Sequence, residues 1–225
     1  RMEGQYSLGS VEYNDLGDGL PGSFDLSTLN TFPKVGNQGS QGSCAAWAMT
    51  YYCYGAIEAA DNGWTSAKSG TSSQLISPAW TYNRVSDYDH GSSMTTNGWV
   101  IRDWGVPTLA TMPYVASDCT SWGSEAAMRE APLHRASSVI SASDHSTDAI
   151  KAIVQSGKPV TFAIDANQYG ACFSDNGASK IISAAEYTPN TPNHAQTIVG
   201  WNDTITDDET GAFRVVNSWG ASWGE

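Results

Sequence analysis

Apolar and aromatic residues recur three or four positions apart over residues 44–62, which is the spacing that places side chains on one face of a helix. Asn62 and Gly63 follow as a suitable helix end. Such a stripe can also line a ligand site, but packing into a core is the favoured interpretation. We therefore predict a central amphipathic helix. The stripe consists of Trp47, Tyr51, Tyr54, Ile57 and Glu58.

Two more helices are predicted before the middle of the chain. Ser77 is positioned to cap a helix that has Pro78 in its first turn and runs to residue 85. Thr95 or Thr96 can cap the next helix, which ends near Gly105. The first half of the chain is therefore expected to be helical.

The second half contains runs of β-branched and apolar residues, which are typical of strands. We predict strands at residues 138–140, 159–165, 195–201 and 213–216. One short helix is predicted between the first two strands, at residues 147–155. Strands are thus concentrated in the second half.

Composition and charge narrow the classes of function. The chain has 225 residues, with 11 lysines and arginines against 23 aspartates and glutamates, and its net charge is −12. An acidic surface repels nucleic acid and anionic membranes, so we expect neither as a partner. No run reaches the roughly 18 apolar residues of a membrane span, and residues 1–5 lack a signal-peptide core. The length suits one large domain or two lobes that share a cleft.

Two acidic segments could be interpreted as metal sites. Asp87, Asp89 and His90 are neighbours, and residues 202–211 carry an acidic run. Neither segment has the ligand spacing of a recognised calcium or zinc site. We therefore predict a solvated loop and a solvated hairpin tip, and we expect neither a metal nor a cofactor.

Cys44 is the first candidate for chemistry. It follows a turn rich in glycine and serine, residues 37–43, and stands at the start of the predicted central helix. The N–H groups and dipole of a helix N-terminus stabilise a thiolate, so we predict a lowered pKa and a nucleophilic sulfur. Taken alone, the residue could equally be an ordinary small buried side chain.

A histidine and an asparagine stand at the edges of two predicted strands. His194 precedes one strand and Asn217 follows the other. An imidazole can share a thiol proton, and an amide can orient the imidazole. The remaining histidines lie in polar stretches or beside a helix start, where contact with solvent or capping explains them: His90, His134 and His145.

These segments resemble the papain family of cysteine peptidases, in which cysteine, histidine and asparagine are separated by distances of this size. The resemblance implies that Cys44 is the nucleophile, His194 the general acid and base, and Asn217 the orienting amide. It also implies that Gln38 and the backbone N–H of Cys44 donate hydrogen bonds to an oxyanion. The implied fold is α+β and papain-like, with a helical left lobe, an antiparallel β-barrel-like right lobe and the active-site cleft between them.

The chain departs from the family pattern at two positions beside the nucleophile. Gln41 replaces a usual cysteine and Ala45 a usual tryptophan, so the customary nearby disulfide cannot form. With Cys44 assigned to catalysis, an odd number of cysteines remains. Cys53 could pair with Cys119 and leave one free thiol, or all three could be buried thiols. The three are Cys53, Cys119 and Cys172.

The resemblance also suggests substrate-binding residues. Gly91, Ser92 and Ser93 correspond best to a loop whose backbone holds the substrate in an extended form, and Ala163 leaves a roomy apolar pocket. Trp219 resembles an indole that shields the contact between histidine and asparagine. Two further residues complete the predicted set: Asn193 and Trp223.

The expected organisation has three parts. Residues 1–20 form an N-terminal tail or the remnant of a propeptide, residues 21–115 form the helical lobe with a crossing N-terminal segment, and residues 116–225 form the β-barrel lobe without its final strands. The implied function is hydrolysis of peptide bonds by an endopeptidase, through a thiolate–imidazolium pair and an acyl-enzyme. Expected partners are a peptide or protein substrate and the chain's own propeptide, in a secreted, zymogen-derived protein. The alternatives are an inactive binding protein of the same fold and a thiol acyltransferase or amidase.

Overall fold

The computed structural model describes residues 9–11, 19–86, 88–169, 181–182, 187–188, 190–206 and 210–224. The predictions that concern Asp87, Cys172 and most of residues 1–20 lie outside the described residues.

Helices fill the first half of the chain, as predicted. The central helix consists of α1 (Cys44–Ala46), π-helical turns over Trp47–Tyr54 and α2 (Gly55–Asp61). The other helices are α3 (Pro78–Val85), α4 (Met94–Trp104), α5 (Glu125–Glu130) and α6 (Thr147–Gln155). Short 3₁₀ turns occur at Leu26–Thr28, Ser72–Gln74, Ala131–Leu133 and Ala166–Gln168.

The helix starts differ in two details from the prediction. The cap of α4 is Ser93, whose Oγ accepts a hydrogen bond from the backbone N–H of Thr96 at 3.0 Å. The prediction of a cap at Thr95 or Thr96 is therefore wrong, because both threonines already lie within the first turn. Pro78 occupies the first turn of α3 as expected, although the side chain of Ser77 makes no capping hydrogen bond.

The main sheet is antiparallel and organised around one long strand. Its strands are β2 (Ser23–Asp25), β4 (Val160–Ile164), β5 (His194–Thr206) and β6 (Thr210–Val216). All three other strands pair with β5. The described strands form an open sheet and do not close into a barrel. Because β5 begins at His194, opposite Ile164 of β4, the candidate base lies at the end of the sheet.

A second, two-stranded sheet lies apart from the main one. It joins β1 (Gly9–Val11) in parallel to β3 (Ile140–Ala142). The strand predicted at residues 138–140 therefore exists two residues further along the chain and pairs with the N-terminal region.

Two apolar clusters include residues of the central helix. Tyr51 and Tyr52 belong to the cluster that includes Val199 and Trp201 of β5. Tyr54 belongs to a second cluster, here called the helical cluster, which includes Trp80 of α3 and Ile101 of α4. The helix is thus buried on more than the one face that its sequence pattern indicates. The helical cluster also includes Ala127 and Ala131, which lie beyond the predicted end of the helical lobe at residue 115. The lobe boundary therefore stays a prediction.

Candidate active site

A cleft of about 680 Å³ brings together three of the four predicted catalytic side chains and most of the predicted substrate-binding residues. Helical and sheet segments both contribute walls to it. The fourth catalytic candidate, Asn217, lies behind His194 and does not line the cleft. The lining comprises Gln38, Gly42, Cys44, Ala45, Asp89, His90, Gly91, Ser92, Ser93, Met94, Ala163, Pro192, Asn193, His194, Ala195 and Trp219.

Cys44 and His194 are brought to this cleft by the packing of α1 on the start of β5. Ala45 and Ala48 form a small buried cluster with Ala195, and Cys44 packs against that cluster. Small side chains at the contact allow the helix start to approach the strand closely. The cysteine is consequently packed against the residue that follows the candidate base.

The electrostatic surroundings of the two groups differ from the sequence expectation. Burial raises the pKa of the Cys44 thiol, and this effect outweighs hydrogen bonds from backbone groups of Ala195 and Ala45, which lower it. The N–H groups at the helix start therefore lower the pKa as predicted, but the predicted net lowering of the Cys44 pKa is wrong because burial raises it more. Burial lowers the pKa of the His194 imidazole, against the opposing hydrogen bond of Asn217. A thiolate in this cleft therefore requires an imidazole that accepts its proton.

The contact between His194 and Asn217 fixes which ring nitrogen faces the cleft. Asn217 Oδ1 lies 2.7 Å from the backbone N of Ser218, which can only donate, so the oxygen of the amide is identified. The same oxygen lies 2.8 Å from His194 Nε2. A neutral ring therefore carries its proton on Nε2, and Nδ1 is left with a lone pair that can accept a proton.

Indole rings shield this contact. The ring of Trp219 lies 4.5 Å from the ring of His194, with 31° between the planes. The Trp223 ring packs against Trp219, with 5.0 Å between the ring centroids, and is absent from the cleft lining, so the structure does not bring this predicted substrate contact to the cleft. Tyr169 lies against both indoles and extends the aromatic cover.

Gln38 is held with its amide nitrogen oriented by two fixed partners. Its Nε2 donates to the carbonyl of Gln41 at 2.8 Å, and its Oε1 accepts from the Ser218 hydroxyl at 2.5 Å. A carbonyl can only accept, so reversing the amide would place two acceptors together and lose the bond to Gln41. The second N–H of the amide remains for an oxygen atom bound in the cleft.

Comparisons with known proteins show the family of this chain. A family model described as papain family cysteine protease matches residues 20–225. The chain belongs to the papain family of cysteine proteases. It is 26% identical over 212 residues to cysteine proteinase 1 of Dictyostelium discoideum and 27% identical over 217 residues to zingipain-2 of Zingiber officinale. Each alignment covers 92% of this chain, with 59% of the first relative and 86% of the second.

Solved structures show the same papain fold. Procathepsin L 3 of Tenebrio molitor superposes with a TM-score of 0.71 at 20% identity, over 96% of this chain and 66% of that one. Xylellain of Xylella fastidiosa gives the same TM-score at 21% identity, over 95% of this chain and 80% of that one. The chain thus spans less than two thirds of the length of the Dictyostelium relative and of procathepsin L 3.

Gln41, predicted to replace a usual cysteine of the family, joins the loop before the nucleophile to a distant segment by hydrogen bonds. Its Nε2 donates to the carbonyl of Asp118 at 3.1 Å. The Tyr114 hydroxyl lies 2.9 Å from Gln41 Oε1, 2.8 Å from the carbonyl oxygen of Gln38 and 2.7 Å from Ser43 Oγ. One tyrosine therefore ties the loop before the nucleophile to the segment beyond residue 113.

The disulfide proposed between Cys53 and Cys119 does not exist, because both are free cysteines. The Cys53 thiol donates to the carbonyl of Pro159 at 3.1 Å, and burial raises its pKa to about 12. Cys53 thus belongs to the packing between the central helix and the segment before β4, as the alternative interpretation expected of a buried thiol.

The predicted substrate residues of this papain-family cleft occupy both walls. Gly91 has a φ of +83°, a conformation that favours glycine, and continues into Ser92 and Ser93 at the start of α4. Ala163 lines the same cleft from β4, where it pairs with Ala195. Asn193 also lines the cleft, but its amide is bonded within its own loop, to Asp165 at 2.9 Å and to the backbone N of Ala166 at 2.9 Å.

Sequence reasoning missed three side chains that shape the site. Ser218 orients Gln38, Tyr114 holds the loop before Cys44, and Asp89 reaches the cleft wall. Ser218 could have been found beside Asn217, since its hydroxyl needs a partner when buried. No local signal identifies the other two. In the described part of the chain, no cluster of histidine, cysteine or carboxylate side chains is placed to hold a metal ion.

Proposed function

We propose that this papain-family chain is a cysteine peptidase that cleaves peptide bonds through an acyl-enzyme intermediate. The observation that supports it best is the orientation of His194, whose Nε2 is engaged by Asn217 while Cys44 and Gln38 line the same cleft. This arrangement supplies a nucleophile, a base and an oxyanion donor.

The proposed reaction begins with transfer of the Cys44 proton to Nδ1 of His194. The thiolate attacks the peptide carbonyl, and the carbonyl oxygen is held by Nε2 of Gln38 and the backbone N–H of Cys44. Collapse of the tetrahedral intermediate breaks the C–N bond, and the imidazolium gives its proton to the departing amine. Water, deprotonated by His194, then hydrolyses the thioester and restores the free thiol.

Peptide cleavage and thiol labelling together test this proposal. We expect purified protein to cleave casein and internally quenched peptides, and Cys44→Ala to abolish cleavage. Iodoacetamide or an epoxysuccinyl peptide should label Cys44 near neutral pH in the wild type but only at clearly alkaline pH in His194→Ala, since burial raises the pKa of the thiol and the variant lacks its base. A Cys44→Ala protein that cut casein at the wild-type rate would falsify the assignment.

Two other functions remain as outcomes of the same experiments. An inactive binding protein would resist labelling and cleave nothing, whereas an acyltransferase would join peptides to added amines faster than it hydrolyses them. Gln38 is held by hydrogen bonds to Gln41 and Ser218, and His194 by a hydrogen bond to Asn217. Because both side chains are oriented in this way, hydrolysis is favoured over an inactive binding role. Internally quenched peptides without free termini also test endopeptidase action.

We further propose that residues 1–20 are propeptide, residues 21–115 the helical lobe and residues 116–225 the sheet lobe of a secreted zymogen. The observation in favour is that β1 lies outside the main sheet and pairs with β3 over three residues. N-terminal sequencing of the active protein should find a start near Leu20, and an unchanged start at Arg1 would contradict the proposal. The described helices include none that is long and apolar enough to cross a membrane.

A further inference from the structure

The most deeply buried carboxylate of the described residues has no part in the reaction proposed above. It belongs to Asp165, which follows β4 directly and is 2% exposed. Burying a carboxylate costs free energy unless hydrogen bonds or cations replace the lost water. The ion pairs between described residues all involve other carboxylates, so the hydrogen bonds of Asp165 indicate what it does.

Three N–H groups donate to this carboxylate. Asn193 Nδ2 lies 2.9 Å from Oδ1, the backbone N of Asn167 lies 3.1 Å from the same oxygen, and Gln168 Nε2 lies 3.2 Å from Oδ2. A carboxylate can only accept hydrogen bonds, which matches these donors. The carboxylate therefore joins the 3₁₀ turn after β4 to the residue immediately before His194.

The amide of Asn193 has a determined orientation. Its Oδ1 lies 2.9 Å from the backbone N of Ala166, which can only donate, so the nitrogen of the amide is the atom that faces Asp165. The backbone N of Asn193 also donates to the carbonyl of Ile164 at 3.1 Å. The residue before His194 is thus bound through its backbone and both ends of its amide to the end of β4 and the turn after it.

The same turn supports the His194 ring by a second route. Tyr169 follows the turn, and its hydroxyl donates to Gln196 Oε1 at 2.7 Å. The ring of Tyr169 packs edge-on against Trp219, whose indole lies on the His194 ring. The carboxylate that caps this turn is therefore connected to the imidazole through Asn193 and through the indole.

We propose that Asp165 is a positioning residue for His194, because its buried carboxylate joins the turn after β4 to Asn193 and so fixes the imidazole relative to the nucleophile. The proposal rests on the peptidase function proposed above. Proton transfer between thiol and imidazole requires close contact, so a displacement of about 1 Å should slow the reaction much more than it weakens substrate binding.

Asp165→Asn tests this role, since it removes the charge and one acceptor oxygen with almost no change of shape. With an internally quenched peptide we expect kcat per active site to fall about 10- to 100-fold, with little change in KM. Titration to completion with an epoxysuccinyl peptide counts the active sites, so loss of folded protein does not lower this rate. A purely structural residue would instead reduce the number of titratable sites and leave kcat per site unchanged, and that result would overturn the proposal.

Asp25 offers a matched control, because it also ends a strand and caps a 3₁₀ turn. Its Oδ1 accepts a hydrogen bond from the backbone N–H of Ser27 at 2.8 Å, and the residue is absent from the cleft lining. Asp25→Asn should therefore leave kcat per site at the wild-type value. An equal loss of kcat in both variants would mean that capping of such turns in general affects turnover, and the specific role of Asp165 would be wrong.

Exchanging the two side chains tests the link itself. Asn193→Asp sets two carboxylates against each other, whereas the double variant Asp165→Asn/Asn193→Asp restores one donor and one acceptor between them. We expect kcat per site of the double variant to exceed the value calculated from two independent changes by about 2- to 100-fold. Strictly independent effects would contradict the link.

The remaining outcomes separate this proposal from the peptidase function. If Asp165→Asn yields too little folded protein, Asn193→Ala cuts the same link and should show the same fall in kcat per site. Wild-type cleavage of casein with kcat per site unchanged in these variants would overturn the role of Asp165 alone. A wild-type protein that cleaves neither casein nor the peptide would overturn both.

Discussion

Two polar clusters in this protein are built around a histidine, and they differ in what faces the ring. In the cleft cluster, formed by Gln38, Cys44, His194, Asn217 and Ser218, the ring meets a neutral amide. In the lobe cluster, formed by Tyr54, Glu58, Asn62, Glu130 and His134, the ring meets a carboxylate, with 2.7 Å between Nδ1 and Glu58 Oε1.

Hydrogen bonds from three side chains stabilise the Glu58 carboxylate. Burial by itself raises the pKa of the Glu58 carboxyl, but hydrogen bonds from His134, Tyr54 and Asn62 outweigh burial, and the pKa is lowered. Its two oxygens both accept side-chain hydrogen bonds, at 2.7 Å from the Tyr54 hydroxyl and 2.8 Å from Asn62 Nδ2. This cluster therefore joins α2 to the turn that contains His134 and serves stability.

An amide partner has a different consequence. Asn217 fixes the direction of the His194 ring without adding a charge that would hold the proton in place. Such a ring can gain and lose a proton during each turnover, which general acid–base catalysis requires. The comparison therefore assigns chemistry to the cleft cluster and structural support to the lobe cluster.

Replacing each histidine in turn gives the largest expected difference between the clusters. His194→Ala should lower kcat/KM at least about 10³-fold, because the base and the acid are both lost. His134→Ala should lower the free energy of unfolding while active molecules keep turning over. Peptide hydrolysis and urea unfolding of both variants check this, and a His134→Ala protein that folds stably but is inactive would break the comparison.

Gln38→Ala is expected to have the next largest effect. Loss of one oxyanion donor should lower kcat about 10²–10³-fold, while binding of substrate changes much less. The Ser218 hydroxyl and the Gln41 carbonyl then lose their partner, so unfolding must be measured alongside the kinetics. A higher KM with an unchanged kcat would show that Gln38 positions the substrate and does not stabilise the oxyanion.

Asn217→Asp makes the cleft cluster resemble the lobe cluster. A carboxylate beside His194 should raise the pKa of the ring, which burial now lowers, so the pH profile of kcat/KM should shift upward at the limb that reports this group. We expect a loss of rate of about 10- to 100-fold, the range for partners that orient a functional histidine. Asn217→Ala should lose rate without that upward shift, and identical profiles for the two variants would count against the argument.

The sequence could indicate candidate catalytic residues because their segments carry local signals, while the roles proposed for them come from the resemblance to the papain family. Cys44 follows a glycine-rich turn at a helix start, and His194 and Asn217 border strands, so each is recognisable from its neighbours. The α+β class and the central helix follow from periodicity in the same way. Local patterns report what a short segment does by itself.

Contacts between distant segments were not predictable in this way. Tyr114 meets Gln41 from 73 residues away, and His134 meets Glu58 from 76. Glu58 did carry a signal, since a glutamate on an apolar helix face needs a buried partner, but nothing in the sequence said which one. Burial likewise raises the pKa of Cys44 by more than the N–H groups of the helix start lower it. Burial could not be predicted because it is a property of the whole fold.

Glu58→Gln is the smallest of these changes and tests the lobe cluster by pH. Because the folded pKa of Glu58 lies below its unfolded value of about 4.3, its contribution to stability is complete above that pH and is lost as pH falls through the folded pKa. We expect the variant to be less stable by about 1–2 kcal/mol at pH 6 and the difference to shrink toward pH 3. Urea unfolding at both pH values measures it, with Glu125→Gln, from the exposed pair with Arg129, as the control that should change little. A deficit of the same size at both pH values would mean that Glu58 acts through its shape and packing, and the carboxylate would then no longer distinguish the two histidines.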